Sequence, residues 1–124
     1  FDFKHIITHQ RKTVMAKLKL LELRCKETED TGQDEAYITV AGKKVWSTDG
    51  ISSGQSASLR GVPLISFTGK VDVALWDEDT GMFDSDDNLG KFTVSASLAG
   101  QDEQEYHFTG DGGDYLLIYE VLKD

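Results

Sequence analysis

Apolar and polar residues alternate with a period of two along most of the chain, which is the pattern of β-strands that bury one face. The alternation is clearest over residues 16–25 and 71–76. In the first segment the phase slips by one position at Leu20 and Leu21, which predicts a strand with a β-bulge. Beyond the first 14 residues, no long apolar repeat occurs at helical spacing. The pattern therefore predicts an all-β protein.

Glycines and short polar stretches divide the alternation into eight predicted strands. These strands span residues 16–25, 37–40, 43–46, 57–67, 71–76, 89–94, 105–109 and 115–121. Gly61 and Pro63 interrupt the fourth of them. Such lengths and spacings are typical of two packed antiparallel sheets, so we expect an eight-stranded antiparallel Greek-key β-sandwich over residues 15–124. Residues 1–14 are basic, do not follow the pattern, and are interpreted as an N-terminal extension or linker.

Length and composition set the outer limits of the prediction. A chain of 124 residues suits one domain. No apolar run approaches the roughly 20 residues of a membrane-spanning helix, so we expect a soluble protein without a transmembrane segment. The single cysteine, Cys25, excludes an intrachain disulfide and is expected to be a small buried side chain. These features fit both the cytoplasm and a secreted location, and they leave the compartment open.

The negative charge of the chain is concentrated in two short windows. The formal net charge is −9, from 22 acidic and 13 basic residues, and no basic stripe is present. Nucleic acid is therefore not an expected partner. Residues 27–35 and 77–87 together hold 11 of the 22 acids and contain no Lys or Arg. This distribution points to a site at these windows, because a charge that only served solubility would be spread over the surface.

Crowded carboxylates repel one another and are stabilised by a bound cation. Calcium takes six to eight oxygen ligands in flexible geometry, whereas zinc prefers Cys and His, which both windows lack. Magnesium is less suited, because it demands octahedral geometry and few protein ligands. In an up-and-down strand order, both windows fall in odd-to-even connections at one end of the sandwich. The same parity places Asp49 and Asp111 there as additional candidate ligands.

The two windows with their flanks resemble the C2 domain family, the calcium- and phospholipid-binding β-sandwiches. The first window continues into a strand as residues 29–40, EDTGQDEAYITV. The second follows an apolar strand that ends in Trp-Asp-x-Asp at residues 76–79, and a loop then leads to residues 87–90, DNLG. The resemblance implies a C2-like sandwich, and the closing hairpin suits the circularly shifted, type II-like topology of some members. Two differences stand out: Ala36 replaces a proline of the family motif, and the second loop is about two residues longer.

The resemblance also implies the ligands of the metal. Asp77, Asp79 and Asp87 match the ligands of the second acidic loop in the family. Glu29 and Glu35 stand where the family has aspartates in the first loop, each with an aspartate beside it. Adjacent acids therefore remain candidates as well. The full set of candidate calcium ligands is Glu29, Asp30, Asp34, Glu35, Asp77, Asp79, Asp84, Asp86 and Asp87.

The expected function is calcium-dependent binding or targeting, to a protein or to an anionic membrane surface. Met82 and Phe83 lie inside the second acidic loop, either as a tip that enters the membrane or as local packing and protein contact. The alternative is a calcium-stabilised structural domain of a larger protein, without lipid binding. We do not expect an enzyme, because the chain is short for a catalytic cleft and carries no nucleophile elbow. The sequence predicts neither the number of ions nor the oligomeric state.

Overall fold

The computed structural model describes residues 14–79 and 85–124. Within them the chain forms eleven strand segments and two short 3₁₀ turns, at Ala96–Leu98 and Gly110–Gly112. The strands are β1 (Met15–Glu27), β2 (Gln33–Asp34), β3 (Ala36–Val40), β4 (Lys43–Ser47), β5 (Ile51–Ser52), β6 (Ser56–Ser58), β7 (Ile65–Thr68), β8 (Lys70–Asp77), β9 (Asp87–Ser95), β10 (Gln104–Phe108) and β11 (Asp114–Lys123). Of the predicted N-terminal extension, only Val14 falls within the described residues.

The strands form two main antiparallel sheets. One has the order β10-β11-β1, and both β6 and β7 pair with the free edge of β1. The other has the order β4-β3-β8-β9, and a two-residue ladder joins β2 to β5. This arrangement confirms the predicted all-β antiparallel sandwich. Each sheet has four strands only if β6 and β7 count as one interrupted edge strand, so the exact strand count and the circular shift remain predictions.

The predicted bulge lies in β1. Its pairing with β11 passes from Leu20 opposite Tyr119 directly to Glu22 opposite Ile118, which leaves Leu21 as the extra residue. Because the bulge changes the phase of the alternation, Leu20 and Leu21 are both buried, and Leu20 belongs to the core between the sheets. The slip in the sequence pattern therefore marks a real feature of the strand.

The core lies between the two sheets and consists of large apolar side chains. Its largest fully buried members are Tyr115, Phe108, Leu18, Leu20, Leu23, Ile38, Leu59, Leu75, Leu89, Leu117, Val73 and Val94. Burying one such side chain contributes about 1.5–3 kcal/mol. Cys25 is 2% exposed and belongs to the same core, as expected. The strands on either side of both acidic loops contribute to this core, so the loops start and end on well-packed elements.

The acidic loops lie at one end of the sandwich, as strand parity predicts. Ala36 at the start of β3 pairs with Asp77 at the end of β8, and Asp77 pairs with Asp87 at the start of β9. At the same end, Glu27 of β1 pairs with Asp114 of β11, beside the β10–β11 turn. No helix among the described residues is long and apolar enough to cross a membrane.

Candidate metal centre

Carboxylates from three loops form overlapping groups at this end of the sandwich. In each group, one oxygen of every member lies within 4.8 Å of the others. Glu29, Asp77 and Asp87 each belong to two groups, so the groups are continuous. We call the whole set the carboxylate cluster; its members are Glu29, Asp30, Asp34, Asp77, Asp79, Asp87 and Asp111.

Asp77 and Asp87 are held in place by the sheet. Asp77 is the last residue of β8, is 2% exposed and pairs in register with Asp87, the first residue of β9. Its Oδ1 accepts a hydrogen bond of 2.8 Å from the backbone N–H of Glu35. The N–H of Glu78 donates in turn to the carbonyl of Glu35 at 2.9 Å. These contacts join the end of β8 to the start of β3, so both carboxylates are positioned by the strands themselves.

Glu29 is the cluster member with an unsatisfied buried atom. Its Oε2 is buried, and no hydrogen-bond partner for it occurs among the described residues. Burial, together with the neighbouring Asp77 and Asp30, raises the pKa of Glu29 to about 9. Burial also raises the pKa of Asp77, to about 6. Both shifts show that the cluster disfavours further negative charge and favours a bound proton or cation.

Asp111 enters the cluster from the turn between β10 and β11. This turn packs closely on the start of β9: a Cβ added at Gly110 would lie 2.7 Å from the carbonyl oxygen of Leu89. Only glycine allows so close an approach, which brings Asp111 near Asp87. Asp111 itself has a positive φ of 52°. Strand parity correctly predicted that Asp111 lies at this site, whereas Asp49 belongs to none of the groups.

Six of the nine predicted ligands belong to the cluster: Glu29, Asp30, Asp34, Asp77, Asp79 and Asp87. Glu35 and Asp86 belong to none of the groups. Glu35 lies between the buried Asp34 and Ala36, so strand alternation directs its side chain to the other face, and it contributes backbone groups instead. Met82, Phe83 and Asp84 lie outside the described residues, so their predicted roles stay predictions.

Asp34 and Asp86 each accept a hydrogen bond from a tyrosine hydroxyl, and the sequence reasoning missed both contacts. The hydroxyl of Tyr115 donates to Asp34, and the hydroxyl of Tyr37 donates to Asp86. The sequence pattern did indicate the contact of Asp34 with the core, because Asp34 is in phase with the buried Ala36 and Ile38. A carboxylate on the inward face of a strand requires hydrogen-bond donors from the core.

The chemistry of the cluster fits calcium better than other biological cations. Every member offers carboxylate oxygen, and calcium binds six to eight such hard oxygen ligands. Within residues 14–79 and 85–124, no Cys or His belongs to a group. The buried Oε2 of Glu29, for which the described part of the chain supplies no hydrogen-bond partner, lies among carboxylates where a cation could pair with it. An open groove lined by Glu29, Asp30, Ser53 and Gly112, among others, gives solvent access beside the cluster.

Comparison with protein-family models and with curated proteins finds no match. Solved structures match along most of the chain. One, described as the structure of a C2 domain, is 20% identical, with a TM-score of 0.56 over 88% of this chain and 98% of the other. A calcium-bound structure of two C2 domains of extended synaptotagmin 2 matches at 18% identity and a TM-score of 0.55, over 89% of this chain and 46% of that one. The fold of the chain is therefore C2-like.

Human GIVD cytosolic phospholipase A2 has a similar segment. It is 15% identical with a TM-score of 0.55, and the match covers 91% of this chain but 17% of the phospholipase. The similarity thus concerns one part of that enzyme.

Proposed function

We propose that this chain is a calcium-binding, C2-like module whose carboxylate cluster makes binding to its target depend on calcium. The observation that carries the proposal is the buried Oε2 of Glu29, which has no hydrogen-bond partner among the described residues and lies among other carboxylates. Leaving such an atom unpaired costs stability, and a cation at this position removes the cost. The raised pKa of Glu29 has the same physical origin.

In the proposed site, the strand ends provide the fixed ligands. Asp77 and Asp87 would hold the ion from β8 and β9, and Asp79 would approach from the loop that follows β8. Glu29 belongs to groups with both Asp77 and Asp111, so it would connect the first loop and the β10–β11 turn to the same centre. Calcium, when bound, supplies positive charge that offsets the repulsion among these carboxylates.

Calcium dependence of target binding follows from the change in local charge. Without the ion, the cluster end of the sandwich repels anionic surfaces. With the ion bound, the repulsion falls, and an anionic membrane or an acidic protein surface can approach. The calcium-bound state of the extended synaptotagmin 2 structure is consistent with this function, although the similarity to it establishes only the fold.

Thermal unfolding with and without calcium tests the metal site. Binding to the folded state at 100 times the Kd adds about 2.7 kcal/mol of stability. We expect Tm to rise in calcium relative to EDTA, with little effect of magnesium, and the rise to disappear in Asp79→Asn/Asp87→Asn. A matched control is Asp102→Asn/Asp124→Asn, which removes the same charge from exposed positions outside the cluster. An equal calcium effect in both double variants would contradict the proposed ligands.

Sedimentation with vesicles tests the targeting function separately. We expect binding to vesicles that contain phosphatidylserine in calcium, less binding in EDTA, and none to pure phosphatidylcholine vesicles. If calcium stabilises the protein but vesicle binding does not depend on calcium, the membrane is not its calcium-dependent target. A search for a protein partner would then follow. If neither vesicles nor a protein partner bind in a calcium-dependent way, the chain is better described as a structural calcium domain.

A further inference from the structure

Asp34 is a member of the carboxylate cluster whose oxygens are already engaged. It is fully buried at the end of β2. Its Oδ2 accepts hydrogen bonds from the backbone N–H of Glu29, at 2.8 Å, and from the hydroxyl of Tyr115. Its Oδ1 accepts from the N–H of Asp30 at 3.2 Å. Since a carboxylate has about four lone-pair sites, Asp34 retains little capacity for a metal ion.

The donor to Asp34 is fixed by the core. Tyr115 is fully buried in β11, opposite Cys25 of β1, and its ring belongs to the main apolar cluster. Its hydroxyl therefore has one position relative to the sheet. Asp34 accepts both this hydroxyl and the backbone N–H groups of Glu29 and Asp30, so the fixed hydroxyl also fixes the backbone of these two residues. Their side chains carry two of the clustered carboxylates.

The second acidic loop repeats this arrangement with different residues. The hydroxyl of Tyr37, in β3, donates to Oδ2 of Asp86, and Oδ1 of Asp86 accepts from the N–H of Asp79 at 3.1 Å. The Tyr37 ring is stacked with Trp76 at a centroid distance of 6.1 Å and an interplanar angle of 9°. The ammonium of Lys44 lies 4.1 Å from the centre of the same ring. A tyrosine held by the sheet thus again fixes an aspartate, which fixes the backbone of a cluster residue.

We propose that the pairs Tyr115–Asp34 and Tyr37–Asp86 are positioning pairs for the metal centre, and that neither aspartate is itself a ligand. The pairs hold the backbone of Glu29, Asp30 and Asp79 so that the carboxylates of these residues converge before an ion arrives. This inference rests on the proposed calcium binding. Partners that orient metal ligands typically change metal affinity by about 10- to 100-fold when they are removed.

The test removes single hydroxyl groups and measures the calcium Kd by calorimetry. Tyr115→Phe and Tyr37→Phe each delete one donor and keep the ring. Tyr119→Phe is the matched control, because Tyr119 is also buried in β11 but its hydroxyl contacts no cluster residue among the hydrogen bonds described above. Circular dichroism fixes a temperature at which every variant is folded. We expect the Kd to rise by about 10-fold or more in the first two variants and to stay unchanged in the control.

A merely structural role gives a different result from a positioning role. If the tyrosine hydroxyls are merely structural, Tyr115→Phe and Tyr37→Phe would lower Tm in EDTA but leave the calcium Kd of the folded protein unchanged. That result would overturn the inference. Because Tyr37 is only partly buried, Tyr37→Phe keeps the test decisive if Tyr115→Phe does not fold. Wild-type protein that binds no calcium would instead refute the proposed function, and the roles of both pairs with it.

A double variant tests whether Tyr115 acts on the metal centre through Asp34. If Tyr115 acts through Asp34, adding Tyr115→Phe to Asp34→Asn should leave the Kd at the value of Asp34→Asn alone. Additive effects of the two substitutions would contradict this. A large effect of Asp34→Asn with no effect of Tyr115→Phe would show that Asp34 is a ligand after all.

Discussion

Replacing Glu29 with glutamine should stabilise the protein in EDTA and reduce the additional stability that calcium gives. Each carboxylate of its two groups lies within 4.8 Å of a Glu29 oxygen. At an effective dielectric constant of about 20, one such pair of full charges repels by about 3.5 kcal/mol. Solvent screening and the proton that Glu29 retains reduce this repulsion. We therefore expect Glu29→Gln to raise the free energy of unfolding in EDTA by about 1–2 kcal/mol, which corresponds to a rise in Tm of roughly 4–10 °C.

In calcium the same substitution removes a charged ligand. If calcium at 100 times its Kd stabilises the wild-type protein by about 2.7 kcal/mol, a tenfold weaker Kd lowers this contribution to about 1.4 kcal/mol. The calcium-dependent rise in Tm should therefore shrink by about half in Glu29→Gln. The variant thus becomes more stable without the ion and gains less from it.

Differential scanning fluorimetry in EDTA and in saturating calcium measures both effects. Glu105→Gln is the control, because Glu105 is an exposed acid in β10 and belongs to no carboxylate group. Its calcium-dependent rise in Tm should match that of the wild-type protein. If Glu29→Gln destabilises the protein in EDTA and keeps the full calcium effect, then Glu29 is a structural residue and the reasoning about cluster repulsion is refuted.

Three further predictions concern pH, packing and the thiol. The raised pKa values of Glu29, about 9, and Asp77, about 6, mean that the folded state binds protons more tightly than the unfolded state. In EDTA, Tm should therefore fall as pH rises from about 5 to about 9, and a Tm that rises throughout this range would contradict the shifts. Gly110→Ala should cost about 1–3 kcal/mol in urea unfolding, because its Cβ would lie 2.7 Å from a backbone oxygen, whereas Gly61→Ala has open space and should cost little. Cys25 is 2% exposed, and burial raises its pKa, so a thiol reagent should label it only at the rate at which the protein opens; rapid labelling of folded protein would contradict this.

The strands could be predicted from sequence because their signal is local. Alternation located β1 and β8, and the slip at Leu20 and Leu21 located the bulge. The break at Gly61 and Pro63 corresponds to the gap between β6 and β7. In each of these cases the pattern over a few neighbouring residues determines which face of the strand is buried.

The ligand set was harder to predict because it depends on contacts between distant parts of the chain. The acids of the two windows look equivalent in sequence, yet Asp34 is buried and hydrogen-bonded to Tyr115, which lies 81 residues away. Asp86 likewise accepts a hydrogen bond from Tyr37, 49 residues away. Asp111 could be placed only through strand parity, since no acidic window surrounds it. Charge density therefore locates the site, but core packing decides which carboxylates converge.

Calorimetric titration of calcium into chelator-treated wild-type protein tests the central claim most directly. The proposal predicts saturable binding of calcium, little or no binding of magnesium, and loss of binding in Asp79→Asn/Asp87→Asn. The titration should extend to about 10 mM, beyond the range of weak extracellular calcium modules. Saturation within this range, together with its loss in Asp79→Asn/Asp87→Asn, would establish the carboxylate cluster as a calcium site. Absence of any saturable binding by the folded protein would contradict the proposed function.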